Sequence, residues 1–482
     1  MDIASLNDQN RYELVHKSLD LAEQSVSVFT RIYRDEALKA AAHADVMRMS
    51  RQPQSALAGL PVSVKDLLDV AGETTLAGSV VLEGHAPAQR DAAVVARLRS
   101  AGAAIIGKTN MTEFGFSGVG INPHYGTPAN PVDATRISGG SSSGAAVSVG
   151  AGICVAALGS DTGGSVRIPA ALCGLVGFKP TMRRVPTAGA LPLAPVLDTI
   201  GPIARSVSDC LLVDSLIADE ALNPEPLPLA GLRFAIPEDL VMDDIDDTVA
   251  RTFTATLSKL SAAGATLVEL PMKMFNEARD INRFPQIESW RWHHKLLATH
   301  AQQYDALVAT RIRAGEKYTE QDFQRLLAAR TDWIARVEQA MAGFDAMLMP
   351  TVPIVAPRTE ALLTSEETFF DVNRLLLRNP SLINLFDGCA LSLPCQAPGT
   401  LPVGTLPYVA RGTFLAGETT PDAIVSLMVG RPVGELFPAG SPTYTTVQNY
   451  MTANGLGLLP PDGFSARTRR FDIGDQIGRA HV

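Results

Sequence analysis

Hydrophobic and polar positions along the chain follow two periods. Across residues 11–49, apolar residues recur at helical spacing, which predicts one or two amphipathic helices. Further on, the helix-like segments DAAVVARLRSAG (91–102) and SSGAAVSVGAG (142–152) each lead into a short apolar run, AAIIGKT (103–109) and CVAALGSD (154–161). Such runs are typical of strands buried on both faces of a sheet. The alternation predicts an α/β fold, with a large mixed central β-sheet covered by helices on both faces.

The later chain carries similar patterns with less regular spacing. Helices are predicted at residues 205–218 and 247–264 and across 285–343, and strands in ATLVELP (265–271) and FDAMLMPTVPIVAP (344–357). Past Gly404, turns and prolines accumulate and the apolar periodicity weakens. We therefore predict an N-terminal helical segment at 1–58 that packs on a core at 59–404, followed by a divergent tail at 405–482.

Composition and charge narrow the class of protein. With 482 residues, of which 46% are hydrophobic and 19% charged, the chain resembles a globular protein with a large buried core. The net charge is −9 and the lysines and arginines form no basic block, so we expect no nucleic-acid partner. The sequence contains no apolar run of about eighteen residues, which predicts no membrane span.

Cysteine and histidine usage indicates a cellular compartment and argues against a metal site. Five cysteines are scattered without CxxC pairs, and residues 1–30 lack an apolar signal stretch, so we expect reduced thiols in a cytoplasmic protein. His293, His294 and His300 fall in one helical segment. Since no acidic residue lies at ligand spacing, we interpret them as a solvated helix face and predict no metal site.

The stretch ISGGSSSGAAVSVGAG (137–152) holds five serines and five glycines. Neither this stretch nor the earlier segment GAAIIGKT fits the common interpretations of such patterns. GAAIIGKT (102–109) matches a phosphate loop, but its AAII is itself a predicted strand and cannot encircle phosphate. GSSSG (140–144) matches a nucleophile elbow, but polar NPVDATRIS precedes it where a strand is required. A flexible linker is disfavoured because an apolar helix and strand follow without a break.

Lysine and serine offer a different chemistry. A serine hydroxyl becomes nucleophilic beside a base, and a lysine can be that base when burial lowers its pKa. Lys65 lies among apolar residues in PVSVKDLLDV, so it is either desolvated there or points outward. Ser165 follows Gly163 and Gly164 where a strand turns into a short helix. Its loop is either a nest of N–H groups for a developing oxyanion or an ordinary helix N-cap.

Five segments in order along the chain carry a family resemblance. They are GLPVSVKD, GKTNMTEF, GGSSSGAA, LGSDTGGSVRIPAALCGLVGFKPT and LDTIGPIARSVSD. Together they resemble the amidase signature family, with the similarity running from about residue 10 to about residue 404. The resemblance implies that family's fold and the hydrolysis of a carboxylic amide, a small molecule, through a seryl acyl-enzyme. It also implies that no metal or organic cofactor takes part.

The resemblance assigns roles to particular residues. In the family's Ser–cis-Ser–Lys triad, Ser165 matches the acylated nucleophile, Ser141 the bridging serine after a non-proline cis peptide, and Lys65 the terminal base. The oxyanion hole corresponds to the N–H groups of Thr162, Gly163, Gly164 and Ser165. The acyl pocket corresponds to Gly115, Phe116 and Ser117 in EFGFSGVG. Asp161 and Arg167 are expected to brace these loops.

Two departures from the family pattern keep alternatives open. Ser143 stands where the family usually has glycine, and we expect it to begin a helix rather than to adopt a positive φ. The tail at 405–482 does not resemble the family's last elements. Two other functions therefore remain as alternatives: the glutamine-hydrolysing A-type component of a tRNA-dependent amidotransferase, and a catalytically impaired member with a binding role. The oligomeric state is left open, with a homodimer as one candidate.

Overall fold

An 11-stranded mixed sheet forms the centre of the protein in this computed structural model, which describes residues 3–6, 9–218 and 228–409. The order of strands across the sheet is β1-β3-β2-β4-β6-β5-β10-β11-β9-β7-β8. The strands are β1 (Phe29–Ile32), β2 (Pro61–Lys65), β3 (Ala104–Thr109), β4 (Ala156–Asp161), β5 (Val176–Lys179), β6 (Thr199–Ala204), β7 (Arg233–Pro237), β8 (Thr266–Leu270), β9 (Ala346–Pro350), β10 (Cys389–Pro394) and β11 (Gly404–Val409).

The α-helices and short 3-10 helices of the described residues lie between these strands. The α-helices are α1 (Arg11–Gln24), α2 (Arg34–Met49), α3 (Ala93–Ser100), α4 (Ser143–Gly150), α5 (Arg167–Cys173), α6 (Val207–Ala218), α7 (Asp247–Ala262), α8 (Ala278–Ile281), α9 (Phe284–His300), α10 (Ala306–Arg313), α11 (Glu320–Met341), α12 (Thr359–Thr364) and α13 (Glu366–Phe386). The 3-10 helices are Ile3–Leu6, Glu113–Gly115, Lys273–Glu277 and Ala301–Gln303. None of these helices is long and apolar enough to cross a membrane.

Helices cover both faces of the sheet, and β3 shows this most directly. Successive side chains of a strand point to opposite faces. Ala104 and Ile106 pack in one hydrophobic cluster with Leu19 of α1, whereas Ile105 packs in another cluster with Leu98 of α3. The predicted α/β fold with a covered mixed sheet is therefore confirmed.

Helices were correctly predicted at residues 11–49 and 285–343, but the predictions missed the breaks within these two regions. A short strand, β1, separates α1 from α2 and pairs antiparallel with β3 at the edge of the sheet. It has only four residues, too few for an alternating pattern to be read from the sequence. The region predicted as helical over 285–343 is divided into α9, α10 and α11.

The strand β11 crosses the predicted boundary at residue 404. It pairs antiparallel with both β10 and β9, so the first residues of the predicted tail lie inside the sheet. β11 follows a proline-bearing loop, and the apolar periodicity of its sequence is too weak to predict a strand. The rest of the predicted tail, residues 410–482, lies outside the described residues.

The central position of β4 leads to a stability prediction. Leu158 of β4 is 1% exposed, whereas Leu363 of α12 is 65% exposed. Leu158→Ala should lower the free energy of unfolding by about 2–5 kcal/mol, because it leaves a cavity in the core. The matched change Leu363→Ala should stay within about 0.5 kcal/mol. Urea unfolding followed by fluorescence measures both, and equal losses for the two variants would contradict this placement of β4.

Candidate active site

Lys65 ends strand β2 and is completely buried. The strand lies between β3 and β4 and runs parallel to both. Val62 and Val64 belong to the hydrophobic cluster on the α3 side, while the hydroxyl of Ser63 contacts that of Ser148 in α4 at 2.9 Å. Strand alternation therefore directs Lys65 to the α4 side, and its exposure is 0%. Of the two alternatives left open by the sequence, the structure selects the desolvated lysine.

The amino group of Lys65 contacts two serine hydroxyls. Its Nζ lies 2.7 Å from Oγ of Ser141 and 2.9 Å from Oγ of Ser160. Burial lowers the pKa of Lys65 to about 7, and the negative charges of Asp161 and Asp198 only partly oppose this shift. An amine with such a pKa is substantially neutral near pH 7 and can accept a proton.

The loop that carries Ser141 is held tightly against the segment after β3. The peptide bond between Gly140 and Ser141 is cis, as the family resemblance implied. The N–H of Gly140 donates to the carbonyl of Gly118 at 2.8 Å, and the carbonyl of Ser141 accepts from Thr112 N–H at 3.1 Å. A Cβ atom on Gly140 would lie only 2.7 Å from the backbone nitrogen of Gly120. Only glycine fits at position 140 in this close approach.

Ser142 and Ser143 shape the loop rather than extend the lysine contact. Helix α4 begins at Ser143, which does not adopt a positive φ, so the expected role of this residue as a helix start is confirmed. The Ser143 hydroxyl is buried without a hydrogen-bond partner. The N–H of Ser142 donates to the carbonyl of Ser165 at 3.3 Å and so connects the two serine loops.

Ser165 lies in the turn between β4 and α5, and Asp161 fixes that turn. The Asp161 carboxylate accepts the N–H of Gly164 at 2.8 Å and that of Val166 at 3.2 Å. It also forms a bidentate ion pair with Arg167, both N–O distances being 2.9 Å, with both side chains fully buried. Burial alone would raise the pKa of Asp161, but the charge and hydrogen bonds of Arg167, the charge of Lys179 and the Asn384 amide together outweigh it and hold this pKa below its usual range.

These contacts reduce the number of N–H groups that are available to the predicted oxyanion hole. The N–H of Gly164 is already donated to Asp161, which leaves Thr162, Gly163 and Ser165 as backbone donors without an acceptor among the described residues. The hydroxyl of Thr162 donates to Asp198, a carboxylate that also accepts from the N–H groups of Leu193 and Ala194. The turn is therefore anchored at both of its ends.

The predicted pocket residues Gly115, Phe116 and Ser117 line the same cavity as Ser165. The cavity has a volume of about 120 Å³. The side chain of Asn373 in α13 supports this wall from behind: its Oδ1 accepts from the Ser117 hydroxyl at 3.2 Å and from Gly118 N–H at 2.8 Å. The structure thus places the sequence-predicted site residues on three loop segments and one strand end.

Sequence reasoning did not identify Ser160 as the second partner of Lys65. Ser160 lies near the carboxyl end of β4, and Lys65 ends the parallel neighbour β2. Because the carboxyl ends of adjacent parallel strands meet at one edge of a sheet, this contact could have been expected once the strands were paired. Asn384 of α13 was also missed; its amide group donates to Asp161 at 2.9 Å across 223 positions of sequence.

The histidine cluster corrects one prediction. His293 is buried, and its Nδ1 lies 2.9 Å from the hydroxyl of Tyr304. Burial lowers the pKa of His293 to about 3, so it is neutral. The interpretation as a solvated face was therefore wrong for His293, because the segment after α9 folds back over it. Within residues 3–6, 9–218 and 228–409, no cluster of His, Cys, Asp and Glu could hold a metal ion.

Comparison with known proteins gives the family. The amidase family model matches residues 13–411. A 2-amino-5-chloromuconic acid deaminase from Comamonas testosteroni is 36% identical over 379 residues, covering 76% of this chain and 81% of that protein. The A-type component of a glutamyl-tRNA(Gln) amidotransferase from Methanosarcina acetivorans is 31% identical over 450 residues, covering 84% of this chain and 92% of that protein. A crystal structure of an amidase is 31% identical in sequence and has a TM-score of 0.79. The similarity covers 89% of this chain and 98% of the amidase chain.

The chain therefore belongs to the amidase family, as its sequence motifs indicated. The predicted enzyme class, a hydrolase acting on carbon–nitrogen amide bonds, is confirmed at that level.

The buried Asp161–Arg167 pair leads to a second stability prediction. Asp161→Asn leaves the Arg167 guanidinium buried without a counter-charge and should lower the free energy of unfolding by about 3–5 kcal/mol. The control is Asp280→Asn, which removes a surface pair with Arg283 in which the Asp side chain is 89% exposed. That variant should change stability by less than about 1 kcal/mol. Chemical denaturation compares them, and a loss below about 1 kcal/mol for Asp161→Asn would contradict the bracing role.

Proposed function

We propose that the protein hydrolyses a carboxylic amide to a carboxylate and ammonia or an amine, with Ser165 as the acylated nucleophile. The contact that supports this most strongly is the 2.7 Å distance between the Lys65 amine and the Ser141 hydroxyl, at a fully buried lysine. A relay from serine through serine to lysine needs a base that is neutral near pH 7, and burial supplies one here.

In the proposed acylation step, the Ser165 oxygen forms a bond to the amide carbon. Its proton passes to Ser141, whose own proton passes to the lone pair of neutral Lys65. A neutral amine has two N–H groups and one lone pair, so donation to Ser160 leaves the lone pair free to face Ser141. The carbon–nitrogen bond then breaks, and the relay runs in reverse to protonate the departing nitrogen.

The second half of the cycle repeats the relay with water. Water attacks the acyl carbon while giving its proton to the same chain of groups, and the Ser165 oxygen leaves with a proton. In both halves, negative charge develops on the former carbonyl oxygen. The unengaged N–H groups of Thr162, Gly163 and Ser165 are the donors that we assign to it.

The relatives among the glutamyl-tRNA(Gln) amidotransferases support a second candidate, a glutaminase that works with a partner protein. Release of ammonia from simple amides by the chain alone would favour the amidase, whereas glutamine hydrolysis only in the presence of a second protein would favour the alternative. The cytoplasmic location and the homodimer stay predictions.

The nucleophile assignment is tested by Ser165→Ala. This change should abolish both ammonia release from an amide panel and covalent labelling by a fluorophosphonate, because no hydroxyl remains to attack. The matched control is Ser143→Ala in the neighbouring loop, which removes a buried hydroxyl that has no hydrogen-bond partner and should retain labelling. Mass spectrometry of the labelled peptide locates the adduct. Label that persists in Ser165→Ala would overturn the assignment, and an unlabelled wild-type protein would favour the catalytically impaired alternative.

The pH profile tests the base. Neutral Lys65 is the active form, so kcat/KM should rise with pH through about 7 and then level off. Burial also raises the pKa of Glu288 to about 7, so Glu288→Gln should keep the rise if Lys65 causes it. Ser160→Ala removes a hydrogen-bond acceptor that favours the charged lysine, and it should move the rise to lower pH. A flat profile from about pH 6 to 9 would count against a lysine base.

A further inference from the structure

Helix α13 makes hydrogen bonds to the two segments that hold Ser141 and Ser165 in place, although it lies outside the five segments that carry the family resemblance. Three of its asparagines, Asn373, Asn379 and Asn384, are at most 2% exposed. Burying an amide side chain is unfavourable unless it is hydrogen-bonded. The partners of each asparagine therefore indicate what that part of the helix holds.

Asn373 is connected to the loop of Ser141 through Gly118. Its Oδ1 accepts the N–H of Gly118 at 2.8 Å, and the carbonyl of Gly118 accepts the N–H of Gly140, also at 2.8 Å. Gly140 immediately precedes Ser141 in the chain. The same Oδ1 accepts the hydroxyl of Ser117 at 3.2 Å. Two short hydrogen bonds through one residue thus run from α13 to the loop of the bridging serine.

Asn384 is connected to the turn of Ser165 through Asp161. Its Nδ2 donates to the Asp161 carboxylate at 2.9 Å and to the Asp161 carbonyl at 3.0 Å. That carboxylate accepts the N–H of Gly164, the residue before Ser165, at 2.8 Å. The Oδ1 of Asn384 accepts from Arg167 at 2.7 Å. The second asparagine therefore fixes the carboxylate that shapes the nucleophile turn.

Both asparagines lie on one face of α13. Asn384 follows Asn373 by eleven positions, which is about three turns and about 16 Å along a helix. Leu377 lies on the same face, one turn after Asn373. A Cβ atom on Gly118 would be 3.4 Å from Leu377, and one on Gly163 would be 3.5 Å from it. This face of the helix therefore contacts both the segment that holds the Ser141 loop and the turn that carries Ser165.

Asn379 lies on a different face and has different partners. It follows Asn373 by six positions, which places it more than half a turn away around the helix. Its Nδ2 donates to the carbonyls of Val241 and Pro350 at 3.1 and 2.9 Å. Neither carbonyl belongs to a serine loop. Asn379 therefore has the burial and the hydrogen bonding of Asn373 without its connection to the site.

We propose that Asn373 and Asn384 are positioning residues that set the distance between Ser141 and Ser165, with α13 as the rigid element that joins them. The proposal rests on the proposed function, because this distance matters only if a proton passes between the two hydroxyls. The direct hydrogen bond between the loops, from Ser142 N–H to the Ser165 carbonyl, is long at 3.3 Å. A displacement of about 1 Å at either loop would interrupt the relay.

The test compares an amide with the p-nitrophenyl ester of the same acid, the amide being the one in the panel that the wild-type protein hydrolyses fastest. Nitrophenolate leaves as an anion, whereas the amide nitrogen must receive a proton from the relay. Asn373→Ala should lower kcat/KM for the amide by about 10- to 100-fold and for the ester by less. Asn373→Asp keeps an oxygen that accepts both hydrogen bonds, so it should retain more amide hydrolysis than Asn373→Ala.

Asn379→Ala is the matched control. It removes two hydrogen bonds of an equally buried asparagine on the same helix, so it should lower thermal stability about as much as Asn373→Ala does. It should nevertheless keep the wild-type ratio of amide to ester kcat/KM. Circular dichroism and thermal unfolding check that each variant folds, and Asn373→Leu, which refills the space, replaces Asn373→Ala if that variant does not fold. Equal falls of the ratio in the Asn373 and Asn379 variants would overturn the proposal.

A double-mutant cycle on the ester separates the two asparagines. A serine hydrolase without its relay retains slow catalysis from its oxyanion hole and substrate binding, so Ser141→Ala remains measurable with the activated ester. In that background, Asn373→Ala should add little further loss, because its effect passes through Ser141. Asn384→Ala should still lower the rate, because it acts on the turn of Ser165. Losses that are additive for Asn373→Ala and Ser141→Ala would contradict the proposed connection.

The outcomes distinguish failure of this inference from failure of the proposed function. If the wild-type protein hydrolyses no amide and Ser165 is not labelled by a fluorophosphonate, the proposed function fails. If the wild-type protein is active and labelled, but the folded Asn373 variant keeps the wild-type ratio of amide to ester kcat/KM, the positioning role alone is overturned.

Discussion

The carboxylate of Asp161 is the constraint on which the rest of the site depends. It accepts two N–H groups of the turn that carries Ser165, and it also binds Arg167 of α5 and Asn384 of α13. A strand end, a short helix and a helix from the far end of the described chain therefore meet at one buried charge. Lys65 contacts the hydroxyls of Ser141 and Ser160, and burial dominates its pKa, which the charge of Asp161 opposes only in part.

The sequence predicted well what depends on local spacing and motif. It located β3, β4 and the helices α4 and α5, and it named Lys65, Ser141 and Ser165, which the fold brings to one region. It failed where the decisive contacts join distant segments.

His293 illustrates this limit. Its exposure depends on Tyr304, which returns from the segment after α9, and helical periodicity carries no information about that return. The four-residue strand β1 was missed because it gains its partners from β3 rather than from its own pattern.

Two regions of the chain line the cavity beside Ser165. The segments around residues 59–179 build the serine loops and the buried lysine, whereas residues 282–311 line the other part of the cavity. The first region holds groups whose relative positions are fixed by the sheet and by close backbone approaches, such as that of Gly140 to Gly120. The second region lies on helices outside the sheet and packs on the first. The rings of His293 and Phe114 lie 4.3 Å apart between centroids, and the N–H of Asp305 donates to Glu113.

The position of β11 has a consequence for how the chain folds as it is synthesised. β11 lies between β10 and β9 and is the last strand of the described chain to leave the ribosome. Until it is available, β9, β7 and β8 have no connection through the sheet to the strands that carry the serines. Each part of the sheet then exposes an edge with unpaired backbone groups, a state prone to association with other chains. Completion of the sheet is thus a late, long-range event whose timing is set by residues 404–409 rather than by the catalytic motifs.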